Sequence, residues 1–141
     1  MTEATAAERR TVLPCIKIDE RGQAYVEARR CSACEAVVTS QPVACPSCGA
    51  RNTLRPFRAS ERGVLHSYSI VFRSFPGVET PFISAIVDLD DGVTLKGVVR
   101  GVEPKPEAIK FGMPLRMAFD DALGRRDREG RSYVSYFFEP A

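Results

Sequence analysis

Apolar and polar residues alternate with a period of two over much of this chain. Ile83, Ala85, Val87 and Leu89 share one face of a run over residues 82–89. The alternation returns at Leu95 and Val99, at Leu115, Met117 and Phe119, and at Val134, Tyr136 and Phe138. That period marks half-buried strands, not helices. It predicts strands over 63–72, 82–89, 94–100, 115–120 and 133–139. Asp90-Asp91-Gly92 makes the turn between the second and third, and a charged tip over 124–130 joins the last two. The longest insert, the proline-rich stretch 102–110, lies between the third and fourth strands and has room for one helical turn after Pro106. Five strands in this order, with the insert in this place, match a small closed Greek-key barrel, the OB-fold. The alternating residues named above are its predicted core.

The opposite faces are not wholly polar. On this register Phe82 with Ile86, Val98, and Tyr133 with Phe137 point outward. An apolar cluster on neighbouring strands predicts either a partner face or a β-bulge that swaps the two faces of one strand. Ile86, Val98, Tyr133 and Phe137 are the candidate partner face.

The N-terminal part reads differently. Residues 1–12 look like a polar tail, and 15–19 with 24–28 look like a hairpin turning at Gly22. Two cysteine turns follow over 31–48, then a polar connection over 51–62. The expected division is a lead-in over 1–24, a small metal-held unit over 25–59 and the barrel over 60–141.

Those cysteine turns are Cys31-Ser-Ala-Cys34 and Cys45-Pro-Ser-Cys48, separated by ten residues. A C-x-x-C puts two sulfurs on one tight turn, and two facing turns supply four thiolates to one tetrahedral ion. With all four positions filled no place remains for a water nucleophile, so the expected Zn²⁺ is structural. Gly49 after the second pair suits the left-handed backbone such a turn needs, whereas Glu35 holds the matching place after the first and predicts slight strain. Four thiolates also bind iron as in rubredoxin, which leaves an electron carrier as an alternative reading.

Charge narrows the partners. Residues 1–62 carry ten Lys/Arg and seven Asp/Glu, a net +3, while residues 63–141 carry ten and eleven, a net −1. A barrel that binds single-stranded nucleic acid concentrates positive charge on its binding face. Here Arg125, Arg126, Arg128 and Arg131 are interrupted by Asp127 and Glu129. Tyr68, Tyr133 and Phe137 could stack bases, so nucleic-acid binding is the rival class, but the charge balance argues against it. No run approaches the roughly 20 apolar residues of a membrane span. The start of the chain lacks a secretory apolar run, and a cytoplasmic location is expected, where a reducing milieu favours metal over disulfides.

Four stretches of the chain carry a resemblance to a known family. They are the two cysteine pairs with Gly49, the segment from Ser60 to Val71, the Pro/Gly loop and strand over 72–89, and Ile109-Lys-Phe-Gly-Met-Pro-Leu115. In this order the chain resembles a family of small proteins with a rubredoxin-like zinc ribbon followed by an OB-fold. The resemblance implies a non-catalytic accessory subunit in a hetero-oligomer with a thiolase-fold enzyme, one that cleaves or forms C–C bonds beside a CoA thioester. Partners of that kind include β-oxidation-type thiolases of aromatic acids and side-chain aldolases, with acyl-CoA bound at the complex. The stretch 72–77 is most similar to the subunit paired with a benzoylsuccinyl-CoA thiolase. The chain departs from the family in its short lead-in and in Glu35.

Catalysis by this chain itself is not expected. His66 is a single strand histidine, Cys15 reads as a small buried hydrophobe, and Asp88, Asp90 and Asp91 read as turn chemistry. The loop 73–82 is the exception among loops. It joins the first two barrel strands, where OB-folds commonly bind ligands. Its Arg73 suits a carboxylate or phosphate, and Phe75, Pro76 and Phe82 supply rigid apolar surface for a partner or an acyl group.

Overall fold

A computed structural model describes residues 10–126, 128 and 130–141. Its strands are β1 (Arg10–Thr11), β2 (Ile16–Ile18), β3 (Ala24–Cys31), β4 (Val37–Val38), β5 (Leu54–Arg58), β6 (Arg62–Val71), β7 (Phe82–Leu89), β8 (Thr94–Val99), β9 (Pro114–Arg126) and β10 (Ser132–Pro140). The fold is mainly β: a four-cysteine region, then a five-stranded OB-fold barrel.

In the barrel β6 pairs with β7 and β7 with β8, both antiparallel. β8 meets β10 in parallel at Val99 and Phe138, β10 returns along β9, and β9 closes on β6. Closure leaves no strand edge inside the ring. The inward faces are those the alternation predicts. Ile83, Ala85, Val87, Leu89, Leu95, Val99, Leu115, Met117, Val134, Tyr136 and Phe138 are buried, and Phe119 packs partly buried against them. A single 3₁₀ turn, Pro106–Ala108, sits in the insert, and Ile109 follows it into the core. Gly97 is required by the aromatic packing: a Cβ there would lie 2.8 Å from a ring carbon of Phe138 and 2.9 Å from one of Tyr136.

The cysteine region forms a second, smaller sheet. β3 is its centre, with β2 and β4 antiparallel to it and β5 paired along residues 27–31. Its apolar side is continuous with the barrel. Ile16, Val26, Ala28 and Ala59 belong to the same buried cluster as the barrel residues. Asp91, in the β7–β8 turn, ties the two sheets together. Its carboxylate accepts from Ser60 N at 2.6 Å and Val93 N at 3.3 Å, and its carbonyl accepts from the Arg30 guanidinium at 3.0 Å.

Several expectations are corrected. The polar stretch 10–12 is not a loose tail. β1 adds to β10 in parallel at Tyr133 and Val134, and Val12 N donates to Val134 O at 2.9 Å; residues 1–9 lie outside the described residues. The connection 51–62 contains β5, because the open edge of β3 recruits it despite Pro56. β9 runs on to Arg126, past the predicted end at Asp120, so the charged tip is shorter than expected; Asp127 and Glu129 lie outside the described residues.

Candidate functional site

The two cysteine turns are built on the same plan. Glu35 N donates to Cys31 O and Gly49 N to Cys45 O, each at 2.8 Å. Cys31 N donates to Ala36 O at 2.8 Å and Cys45 N to Ala50 O at 2.9 Å. Both residues that close the turns are left-handed, Glu35 at φ 66° and Gly49 at φ 79°. The strain expected at Glu35 is therefore in the backbone, where a non-glycine residue pays about 1–2 kcal/mol for this conformation.

The turns face each other. Cys31 Sγ is 3.7 Å from Cys48 Sγ, Cys34 Sγ is 3.7 Å from Cys45 Sγ, and all four sulfurs lie within 4.8 Å of one another. Bonds of about 2.3 Å to a tetrahedral zinc place sulfurs about 3.8 Å apart. The cluster therefore fits a structural metal such as Zn²⁺. Cys31 and Cys45 are buried on the sheet side, and Cys34 and Cys48 are exposed at the turn tips.

The electrostatics call for a cation. The Thr53 hydroxyl, 3.2 Å from Cys31 Sγ, with the Ala33 and Cys34 amides, pulls the Cys31 thiol down to about 6. The Cys48 and Ser47 amides lower Cys45. The Ala50 amide favours a Cys48 thiolate too, yet desolvation and the three neighbouring sulfurs outweigh it and push Cys48 up to about 11. Four thiolates this close cannot all ionise unless a cation sits among them. Thr53 is a residue that sequence spacing does not reveal; its position follows from β5 running back beside Cys31.

The loop between β6 and β7 carries Arg73, Phe75 and Pro76 into solvent. Phe75 is 80% exposed and the adjoining Phe72 is 70% exposed. Phe82, at the start of β7, is half-buried. The candidate partner face is split. Ile86 is exposed, while Val98 and Tyr133 are half-buried. Phe137 points outward on β10 as the register predicts, but only 4% of it is exposed, so it is not a free surface residue. The Arg100 guanidinium lies 4.2 Å above its ring, held there by Asp120 at 3.0 Å and Glu139 at 3.4 Å. Phe137 also floors an apolar groove of about 230 Å³ walled by Val78, Pro81, Phe82, Val98 and Val102. Of the aromatic residues considered for base stacking, Tyr68 packs on Phe111 with ring centres 5.6 Å apart. The side chains of Arg125 and Arg126 lie outside the described residues.

His66 stands exposed on β6, where a bulge interrupts the β6–β7 register, with Nδ1 3.0 Å from Asp88 Oδ2. Cys15 is half-buried beside β2, and burial pushes its thiol pKa up, away from a reactive thiolate. No helix among the described residues is long and apolar enough to cross a membrane.

Comparison with known proteins agrees with this architecture. Residues 58–120 match the family model of the ChsH2 C-terminal OB-fold domain. A "DUF35 domain-containing scaffold protein" of Methanocaldococcus jannaschii is 28% identical over 113 residues, 79% of this chain and 78% of that protein. The 3-oxo-4,17-pregnadiene-20-carboxyl-CoA hydratase alpha subunit of Mycobacterium tuberculosis is 38% identical over 64 residues, which is 45% of this chain and 20% of that subunit. The solved structure of an Ltp2-ChsH2(DUF35) aldolase contains a chain with TM-score 0.65 and 26% identity, covering 82% of this chain and 84% of that one. The likeness to DUF35 scaffold proteins and to a chain of the Ltp2-ChsH2(DUF35) aldolase extends over about four-fifths of this chain, and so over both the four-cysteine region and the barrel, while the match to the ChsH2 OB-fold model is confined to residues 58–120.

Proposed function

We propose that this chain is the scaffold subunit of a hetero-oligomeric acyl-CoA enzyme whose other subunit has the thiolase fold and supplies the nucleophile and bases. The observation that carries this reading is the structural likeness to a chain of an Ltp2-ChsH2(DUF35) aldolase over more than four-fifths of both chains. The partial match to a CoA hydratase subunit and the similarity to an archaeal scaffold protein point the same way. The four-thiolate centre supports it as well, since a filled tetrahedron holds a shape and offers no open place to a substrate. The finer assignment, taken from the sequence resemblance, is a thiolase or aldolase acting on a CoA thioester such as an aromatic acid derivative.

In this reading the metal unit and the outer barrel face, including Ile86, Val98 and Tyr133, dock on the partner. The loop with Arg73, Phe75, Pro76 and Phe82 covers the thioester entrance, holds the substrate in place and keeps water out. An exposed pair of phenylalanines at 72 and 75 is the kind of surface that a partner covers. The test is co-expression with a thiolase-fold subunit, size-exclusion chromatography and thioester turnover. A stable complex is expected, with Phe75→Ala and Arg73→Ala lowering turnover while metal content stays at one equivalent. A chain that elutes alone beside every thiolase-fold subunit offered, or that turns over thioester unaided, removes the proposal.

A further inference from the structure

Arg62 of β6 and Arg116 of β9 are direct cross-strand partners where the barrel closes. Both are exposed and outward-facing. Side chains so paired start from Cβ atoms about 4.5–5.5 Å apart, and like charges in that position repel. The nearby carboxylates balance them unevenly. Arg116 comes within 3.7 Å of Glu139, but Glu139 is shared with Arg100 at 3.4 Å. Arg62 makes no ion pair among the described residues. The two guanidiniums line a recess of about 370 Å³ with Glu61, Met117, Ala118 and Glu139.

We infer that this recess binds a phosphate monoester or diphosphate through Arg62 and Arg116. Each guanidinium presents a planar fork of donors that fits two phosphate oxygens at once. Two forks reaching from adjacent strands suit a tetrahedral dianion, which has acceptors enough for both. The dianion would balance Arg62 fully and complete the half-shared charge of Arg116, so the repulsive pair becomes an attractive triad. Glu61 lines the same recess, outside ion-pair distance of both arginines, and opposes any anion there. This site is independent of the scaffold reading and is tested on the isolated chain.

The experiment is calorimetric titration of the metal-loaded full chain with inorganic phosphate, pyrophosphate and adenosine 3′,5′-bisphosphate. Saturable binding is expected, weakening as chloride rises. Arg62→Gln and Arg116→Gln should each weaken it about tenfold or more, and Glu61→Gln should strengthen it. Arg62→Lys keeps the charge and loses the fork, so it should fall between wild type and R62Q; this separates anion recognition from misfolding. Equal affinity for the inorganic anions and the nucleotide identifies a free-phosphate site, and preference for the nucleotide identifies a nucleotide-borne phosphate. No saturable binding by any of the three probes, or binding unchanged in both Gln variants, overturns the inference.

Discussion

The two sheets of this molecule are made stable in opposite ways. The barrel buries an unbroken set of side chains from all five of its strands, from Leu65 on β6 to Phe138 on β10. In the cysteine unit, Ile16, Val26 and Ala28 point into the barrel's own cluster. Between residues 32 and 58 the one buried apolar side chain is Cys45, a metal-site residue. About 27 ordered residues with almost no core cannot offset their own conformational entropy. The barrel is therefore held by hydrophobic burial, and the cysteine unit needs the ion that its four sulfurs fit, together with its seam to the barrel.

The sharpest way to break that contrast is at a sulfur. Cys45→Ser should remove the metal, and the structural metal of zinc-finger peptides is worth on the order of 10–16 kcal/mol. Amide signals of residues 31–58 should collapse toward unfolded positions while those of β7, β8 and β10 persist. Metal analysis by mass spectrometry gives the second readout. One retained equivalent of metal with an intact 31–58 spectrum would show that the unit does not depend on four thiolates.

The seam comes next. Asp91 accepts through its carboxylate from the Ser60 amide, in the link between the two sheets, and from the Val93 amide in its own turn. Arg30, beside the ligand Cys31, donates to its carbonyl and lies 5.3 Å over the Phe57 ring. Asp91→Ala leaves two amides without their acceptor, at a cost of about 1–3 kcal/mol. Chemical denaturation should show the lowered midpoint, and metal release to a chelator should speed up, because the ion's sheet loses its anchor. A variant with wild-type stability and release rate would mean that the shared core alone joins the two parts.

A milder comparison uses pH. In the metal unit protons compete with the ion for the thiolates, so acid should release the metal and unfold residues 31–58 first. In the barrel the sensitive group is Tyr136, whose hydroxyl donates to Lys96 O. Burial, with a smaller contribution from Cys15, pushes its pKa up to about 12 from the ordinary value near 10. The folded state then holds a proton that the unfolded state loses. Below pH 10 both states keep it, and between pH 10 and 12 stability falls by about 1.4 kcal/mol per unit. Tyr136→Phe should flatten that alkaline slope and leave the acid transition where it is.

What the sequence disclosed depended on range. The barrel's inward faces were legible because alternation is local, and the metal site because each C-x-x-C closes on itself. β5 was hidden: Leu54-Arg-Pro-Phe-Arg58 has no strand pattern of its own and takes its conformation from the free edge of β3. β1 was hidden for the same reason, two residues whose partner β10 lies at the far end of the chain. Asp91 read as ordinary turn chemistry, since nothing nearby in sequence signals that its carboxylate reaches Ser60. Phe137 had the right face but not the right exposure, because its cover is Arg100, held over the ring by Asp120 on β9 and by Glu139 farther along β10.

The smallest effect is also the most local test of how the two halves of the metal unit differ. Both cysteine turns close with the same hydrogen bond, but one places Gly49 in the left-handed region and the other places Glu35 there. A β-carbon in that conformation costs about 1–2 kcal/mol, part of which glycine gives back through its freer unfolded chain. Glu35→Gly should therefore stabilise the chain by about 1 kcal/mol. Glu35 is exposed and makes no ion pair within the described residues, so no side-chain interaction is lost in exchange. The gain should show as slower metal transfer to a competing chelator and a higher midpoint for residues 31–58, with no change in the barrel's alkaline transition. A destabilised Glu35→Gly variant would mean that the carboxylate serves the first turn in a way that outweighs its strained backbone.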